Sequence, residues 1–213
     1  MKREANSLID DLAENLVPVR PVQPARGMAI VASAAAATMV LVAMFMGFRS
    51  DLFAGSMSAF FFITNGMIGL FGIAATLTVV RMANPRVGGG NIGVAWAAGM
   101  LFVLPASLLA VYGPTAMLGR VGSDPHGIDC FLVSACAGSL TFAALVFWLR
   151  RGAPVSLRSA GQWTGAAAGA VGSFAYGLAC PFDSIAHLGV WHLAPLLLLA
   201  VIGRFAVPPL IRW

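Results

Sequence analysis

The sequence predicts an all-α integral membrane protein, with six transmembrane helices behind a short cytoplasmic amphipathic helix. Three observations carry this. Of 213 residues, 59% are hydrophobic and only 10% charged, with a mean hydropathy of +0.87, which excludes an ordinary soluble domain. Several uncharged runs are long enough to cross ~30 Å of hydrocarbon at about 1.5 Å per residue. The basic residues also fall on alternating connections, as a multi-pass topology requires.

In chain order, residues 6–16 come first. Leu8, Leu12 and Leu16 recur at four-residue spacing with Ile9 beside them, while Asp10, Asp11, Glu14 and Asn15 occupy the other positions. With Asn6 or Ser7 as cap, this is a helix of two to three turns. Pro18, Pro21 and Pro24 end it and favour an extended connection. Surface helices that lie on lipid carry Lys or Arg on the polar face, and here that face is acidic. A cytoplasmic protein groove accepting Leu8, Ile9, Leu12 and Leu16 is the better reading; the alternative folds the helix back on the chain's own loops.

Residues 28–48, 57–80 and 92–112 are plain spans, and 130–149, 162–179 and 188–203 follow. The first run is longer than a usual signal-peptide core, so residues 1–26 are expected to stay as a cytoplasmic arm ahead of a membrane domain over 27–213. With both termini inside, eleven of the thirteen Lys and Arg residues are cytoplasmic, leaving Arg49 and Arg120 outside. Topology thus accounts for the basic charge, and no direct nucleic-acid contact is expected.

The fifth span, "GQWTGAAAGAVGSFAYG", repeats Gly161, Gly165, Gly169, Ser173 and Gly177 every four residues, a ridge of small side chains that lets helices pack closely. No span holds an acid or base near its midpoint, which argues against an ion pathway. Asn65 and Gln162 are the main polar side chains within the spans. CxxC, HExxH and serine-centred motifs are absent, so no enzyme is expected.

Outside the arm, the acids Asp51, Asp124, Asp129 and Asp183 and the histidines His126, His187 and His192 all lie at or near the outer face. Cys130, opening the fourth helix, and Cys180, closing the fifth, join them; Cys136 reads as a small apolar filler. A helix N-terminus lowers the thiol pKa at Cys130 and a C-terminus raises it at Cys180, with Asp129 opposing the former. Spacing leaves three uses open for the pair. One is a permanent disulfide, one a redox switch, and one a soft-metal site for zinc or cadmium completed by His126, Asp129, Asp183 or His187. No cofactor is required, and no standard zinc spacing is present. His192 reads as too deep in the sixth helix to join easily, which leaves open whether it adds a ligand to the outer site or only hydrogen-bonds within the bundle.

Several motifs, in this order, resemble the negative regulator of sigma-F (NrsF-type) membrane anti-sigma factors of proteobacteria. They are "LIDDLAENLVPVRP" before the first span, "FRSDL" after it, the cysteine opening the fourth helix, "LRRGAPVSLRSAG", "YGLACPFDS" and the terminal "IRW". The resemblance implies a bacterial inner-membrane protein that holds an extracytoplasmic-function sigma factor inactive through its arm. It further implies release when Cys130 and Cys180 sense heavy-metal or oxidative stress. His192 in "VWH" departs from the Tyr expected after the Trp. The rival readings are a small metal or solute transporter and a membrane thiol oxidoreductase.

Overall fold

The computed structural model describes residues 2–14, 22–85 and 92–212, and among these all regular structure is helical. Helix α1 (Lys2–Glu14) precedes α2 (Pro24–Met46), the short α3 (Ser50–Ala54) and α4 (Ala59–Met82). After them come α5 (Ile92–Leu101), α6 (Val103–Gly122), α7 (Gly127–Ala137), α8 (Ser139–Leu149), α9 (Leu157–Gly177) and α10 (Ala194–Ile211). A π-helical turn, His187–Trp191, leads into α10.

Helix α1 starts at Lys2, earlier than the cap expected at Asn6 or Ser7, because residues 2–6 hold no Gly or Pro to stop it. Ile9 and Leu12 are exposed, so this helix is not folded back on those residues. Leu16 and the side chain of Leu8 lie outside the described residues.

Among the described residues, five stretches are long and apolar enough to cross a membrane: Pro24–Met46, Ala59–Met82, Ile92–Gly122, Gly127–Leu149 and His187–Ile211. The sequence predicts six. The remaining candidate, α9, has 21 residues, but Gly and Ala make it too poor in large apolar side chains to join that set. Its composition has another use, since 13 of those residues are buried and α9 forms the axis of the bundle.

Local chemistry fixes the ends of the spans. Pro24 starts α2, where its fixed φ suits the first helical turn, and Gly47 ends it at φ 73°. Ser58 caps α4 by accepting the Phe61 N–H at 3.1 Å, and Ser156 does the same for the Ser159 N–H in α9 at 3.4 Å. Gly113, at φ 72° and followed by Pro114, breaks α6 where the third span was expected to end. Beyond the break, the Arg120 guanidinium lies 4.2 Å from the centre of the Tyr112 ring.

Around α9 stand α10, α4, α7, α8 and α2. Added methyl groups at Gly161, Gly165 and Gly169 would overlap the α10 backbone at Gly203, Leu199 and Pro195–Leu196. The predicted small-residue ridge is thus the α9–α10 contact. On its other side, Gly172 meets Ser134 and Gly138, the point where α7 passes into α8. Asn65 of α4 donates to the Phe174 carbonyl at 3.4 Å, while Gln162 accepts from Arg204 at 2.9 Å. At the opposite end from the cysteines, Trp148 donates its indole N–H to the Val80 carbonyl at 3.1 Å and lies against Gly27.

The glycine contact is testable. Gly165→Val forces a side chain onto the Leu199 carbonyl and is expected to cost about 3 kcal/mol or more, whereas Gly66→Ala, which faces open space, should be neutral. Thermal unfolding of the detergent-solubilised proteins measures the difference.

Candidate functional site

The links 47–58, 123–126 and 178–186 gather at one end of the bundle, which carries Cys130 and Cys180. Cys130 sits in the first turn of α7, its N–H bonded to the His126 carbonyl at 3.0 Å. Cys180 lies three residues beyond α9, its N–H held by the Tyr176 carbonyl at 2.9 Å. Both thiols are free and buried, with their sulfurs 3.9 Å apart.

His187 completes a third side, its Nε2 lying 3.4 Å from Cys180 Sγ. Its other nitrogen, Nδ1, is 2.7 Å from Asp124 Oδ2, a contact that fixes the orientation of the ring. His192 is the fourth member. One ligand atom from each of Cys130, Cys180, His187 and His192 lies within 4.8 Å of all the others, and all four residues are buried.

His192, whose place the sequence leaves open, thus stands with the other three. On an α-helix, residues five apart point about 140° away from each other. The π-helical turn, with its wider i→i+5 closure, brings them to one side, and the two rings lie 5.4 Å apart. Neither nitrogen of His192 has a hydrogen-bond partner, although the residue is fully buried. The Tyr176 ring stacks near it at 6.0 Å, with its hydroxyl 3.8 Å from Cys130 Sγ.

The other sequence candidates stand apart. Asp129 is exposed. His126 stacks on Phe182 at 4.7 Å and does not enter the cluster. Asp183 serves a different centre, built on Arg49. That guanidinium is 8% exposed and bonds Asp51 at 2.6 and 2.5 Å and Asp183 at 2.7 and 3.1 Å. It also donates to the Cys180 carbonyl at 3.1 Å, tying the link after α2 to the backbone that carries the thiol. Ser58 adds a bond to Asp183 at 2.9 Å.

Sequence reasoning missed Arg49 and Asp124 as parts of the site. The Arg-x-Asp spacing in "FRSDL" was the available signal for the first; for the second, only its place six residues before Cys130 pointed that way.

The electrostatics follow from these contacts. Contact with the Cys130 sulfur, then burial, pushes the Cys180 thiol well above the ordinary thiol range. The Arg49 hydrogen bond holds the Asp51 carboxyl below its usual value. Asp51's stabilising contribution is therefore complete above about pH 4 and disappears as pH falls through the lowered folded value. A cavity of ≈ 770 Å³ borders the cluster, lined by Tyr112, Arg120, Asp124, His126, Phe182 and His187 among others. His187, a member of the cluster, and its partner Asp124 both line this cavity.

The family model described as "Negative regulator of sigma F" matches residues 12–213. The chain belongs to this family. Its members are regulators and not enzymes. The anti-sigma-F factor NrsF of Caulobacter vibrioides is 28% identical over 215 residues, covering 98% of this chain and 99% of its own. A probable anti-sigma-F factor NrsF of Azospira oryzae is 27% identical over 184 residues, 84% of each chain. No solved structure matches the chain. The family match begins at Leu12, within α1, and takes in the whole cysteine-bearing end of the bundle.

Arg49 makes a measurable prediction. Arg49→Leu leaves Asp51 and Asp183 facing each other without a cation and should destabilise the protein by about 2 kcal/mol in denaturant unfolding. Adding Asp183→Asn to that variant should recover part of the loss, because it removes one of the two opposed charges.

Proposed function

We propose that this protein is a membrane-bound anti-sigma factor that sequesters an extracytoplasmic-function sigma factor in the cytoplasm and releases it when Cys130 and Cys180 are modified from outside. The single observation that carries the reading is the family match over residues 12–213, which takes in the second half of the arm and the thiol cluster. The proposed topology has six spans in the bacterial inner membrane, counting α9, with both termini cytoplasmic. The distribution of Lys and Arg and the 21-residue length of α9 support it.

The arm, residues 1–26, is the proposed sigma-binding element. Ile9 and Leu12 are 61% and 62% exposed, large apolar side chains that a partner groove would cover. Leu8 and Leu16 extend the same face by spacing.

Heavy metals and oxidants are the proposed signals because both react with a close thiol pair. A two-electron oxidant would join the two sulfurs in a disulfide, accepting two electrons as the thiols lose two protons. A soft cation would instead displace those protons and bind the sulfurs. Disulfide formation draws α7 and the end of α9 together, from 3.9 Å between sulfurs to about 2.05 Å, whereas a bound cation locks the two elements at their present separation. Because Gly172 and Gly138 are already in contact, a shift of α7 on α9 moves α8 and the loop at 150–156. That loop is tied to α4 by the Ala153 N–H donating to the Ala83 carbonyl at 2.9 Å, so the change reaches the cytoplasmic side. Release then requires that the arm bind the sigma factor less tightly in the modified state.

A transcriptional reporter for the cognate regulon tests the sensor. Cys130→Ser and Cys180→Ser are expected to abolish induction by cadmium or oxidant while leaving basal repression intact; normal induction in both would remove the assignment. Docking is tested separately by Ile9→Asp with Leu12→Asp. This pair should lower retention of the sigma factor on membranes at least tenfold, and undiminished retention would place the binding surface elsewhere.

A further inference from the structure

We propose that Cys130, Cys180, His187 and His192 form a tetrahedral binding site for one zinc-class divalent cation, with Asp124 positioning His187. The inference deepens the sensor reading and rests on it only for the consequence of binding, since the site itself stands on geometry.

Metal–sulfur bonds of about 2.3 Å and metal–nitrogen bonds of about 2.0 Å imply tetrahedron edges of ~3.8 Å between sulfurs and ~3.5 Å between sulfur and nitrogen. The observed separations are 3.9 Å for Cys130 Sγ to Cys180 Sγ and 3.4 Å for Cys180 Sγ to His187 Nε2. No pair in the set exceeds 4.8 Å. Two edges thus already match those a zinc-class ion requires, and the other four, none above 4.8 Å, need at most a small inward movement.

His192 supplies an independent observation. A fully buried imidazole with neither nitrogen bonded carries a large desolvation penalty unless something else satisfies it. A cation among the four ligand atoms does so. On the far side of His187, the Asp124 carboxylate 2.7 Å from Nδ1 accepts that N–H and turns Nε2 toward the sulfurs, the carboxylate–histidine arrangement that supports metal-bound imidazoles.

Charge selects the class of ion. Two thiolates and two neutral imidazoles around a divalent cation sum to zero, which suits a site whose ligand residues are at most 2% exposed. Binding exchanges two thiol protons for the ion, and those protons leave to solvent. Softness and tetrahedral geometry favour zinc or cadmium over calcium or magnesium, which demand oxygen ligands. The cavity lined in part by His187 and Asp124 gives the ion a route in. The regulatory consequence is that soft cations and oxidants compete for the same two sulfurs, and a bound ion links α7, the end of α9 and the start of α10 at one point.

The experiment uses the full chain purified in detergent under reducing conditions, titrated with zinc and separately with cobalt(II). One zinc per chain is expected, with about two protons released per ion in calorimetry across buffers of different ionisation enthalpy. Cobalt(II) should give the visible bands of a tetrahedral centre together with sulfur-to-cobalt charge transfer. Asp124→Asn should weaken zinc binding by roughly tenfold to 100-fold, and His192→Ala at least as much. Cys136→Ser, which alters an exposed thiol outside the cluster, should bind as the parent does and reports on handling and folding. Substoichiometric zinc with all thiols reduced, an octahedral cobalt spectrum, or unchanged affinity in His192→Ala would overturn the site. None of these readouts involves the sigma factor. Absent metal binding with induction still lost in the cysteine variants therefore rejects the metal site alone, and metal binding with normal induction rejects the sensor alone.

Discussion

The contact between α9 and α10 is the constraint on which the rest of the molecule depends. Gly161, Gly165 and Gly169 of α9 leave room for the α10 backbone itself, and Gly203 returns the same concession from the other side. In hydrocarbon, where apolar surface gains little by leaving lipid, such close backbone approach and its dispersion contacts are the main source of helix association. Cys180 follows one partner of this pair, and His187 and His192 precede the other. Fixing the two helices therefore fixes three of the four members of the cluster, and α7, seated on Gly172 of the same helix, brings in Cys130.

Around that frame, two polar centres share the same end of the bundle with different degrees of burial. The cluster of two thiols and two imidazoles is buried and bounded by Asp124. The Arg49 centre lies at the edge, its carboxylates partly exposed, where the charges retain some solvation. They are joined through the Cys180 carbonyl, which accepts from Arg49. A change at the thiol is thus felt by a network that also holds the links after α2 and before α4, so several helices share the consequence.

Most of the architecture was legible in the sequence, because span length and hydropathy are properties of local runs. The small-residue repeat in α9 also revealed its close packing, though not that α10 is the partner. What the sequence hid was register. His192 looked too deep in the sixth helix to join easily, and nothing in the sequence marks the π-helical turn of five residues that brings it beside His187. Arg49 hid for another reason: topology rules count a basic residue as a loop charge and do not reveal that two acids, one of them 134 positions away, will bury it. Asp129, His126 and Asp183 were plausible by proximity in sequence, yet the first faces outward, the second stacks on Phe182 and the third serves Arg49.

In the proposed mechanism the chemical state of the thiol cluster sets the affinity of the arm for its sigma factor across the thickness of the bundle. Such coupling is a difference in binding free energy, and about 1.4 kcal/mol already gives tenfold. The direct measurement is the affinity of purified cognate sigma factor for the full-length protein in lipid nanodiscs, with the cysteines reduced and after cadmium or oxidant treatment. The account predicts at least tenfold weaker binding after treatment. Equal affinity in the two states would contradict it.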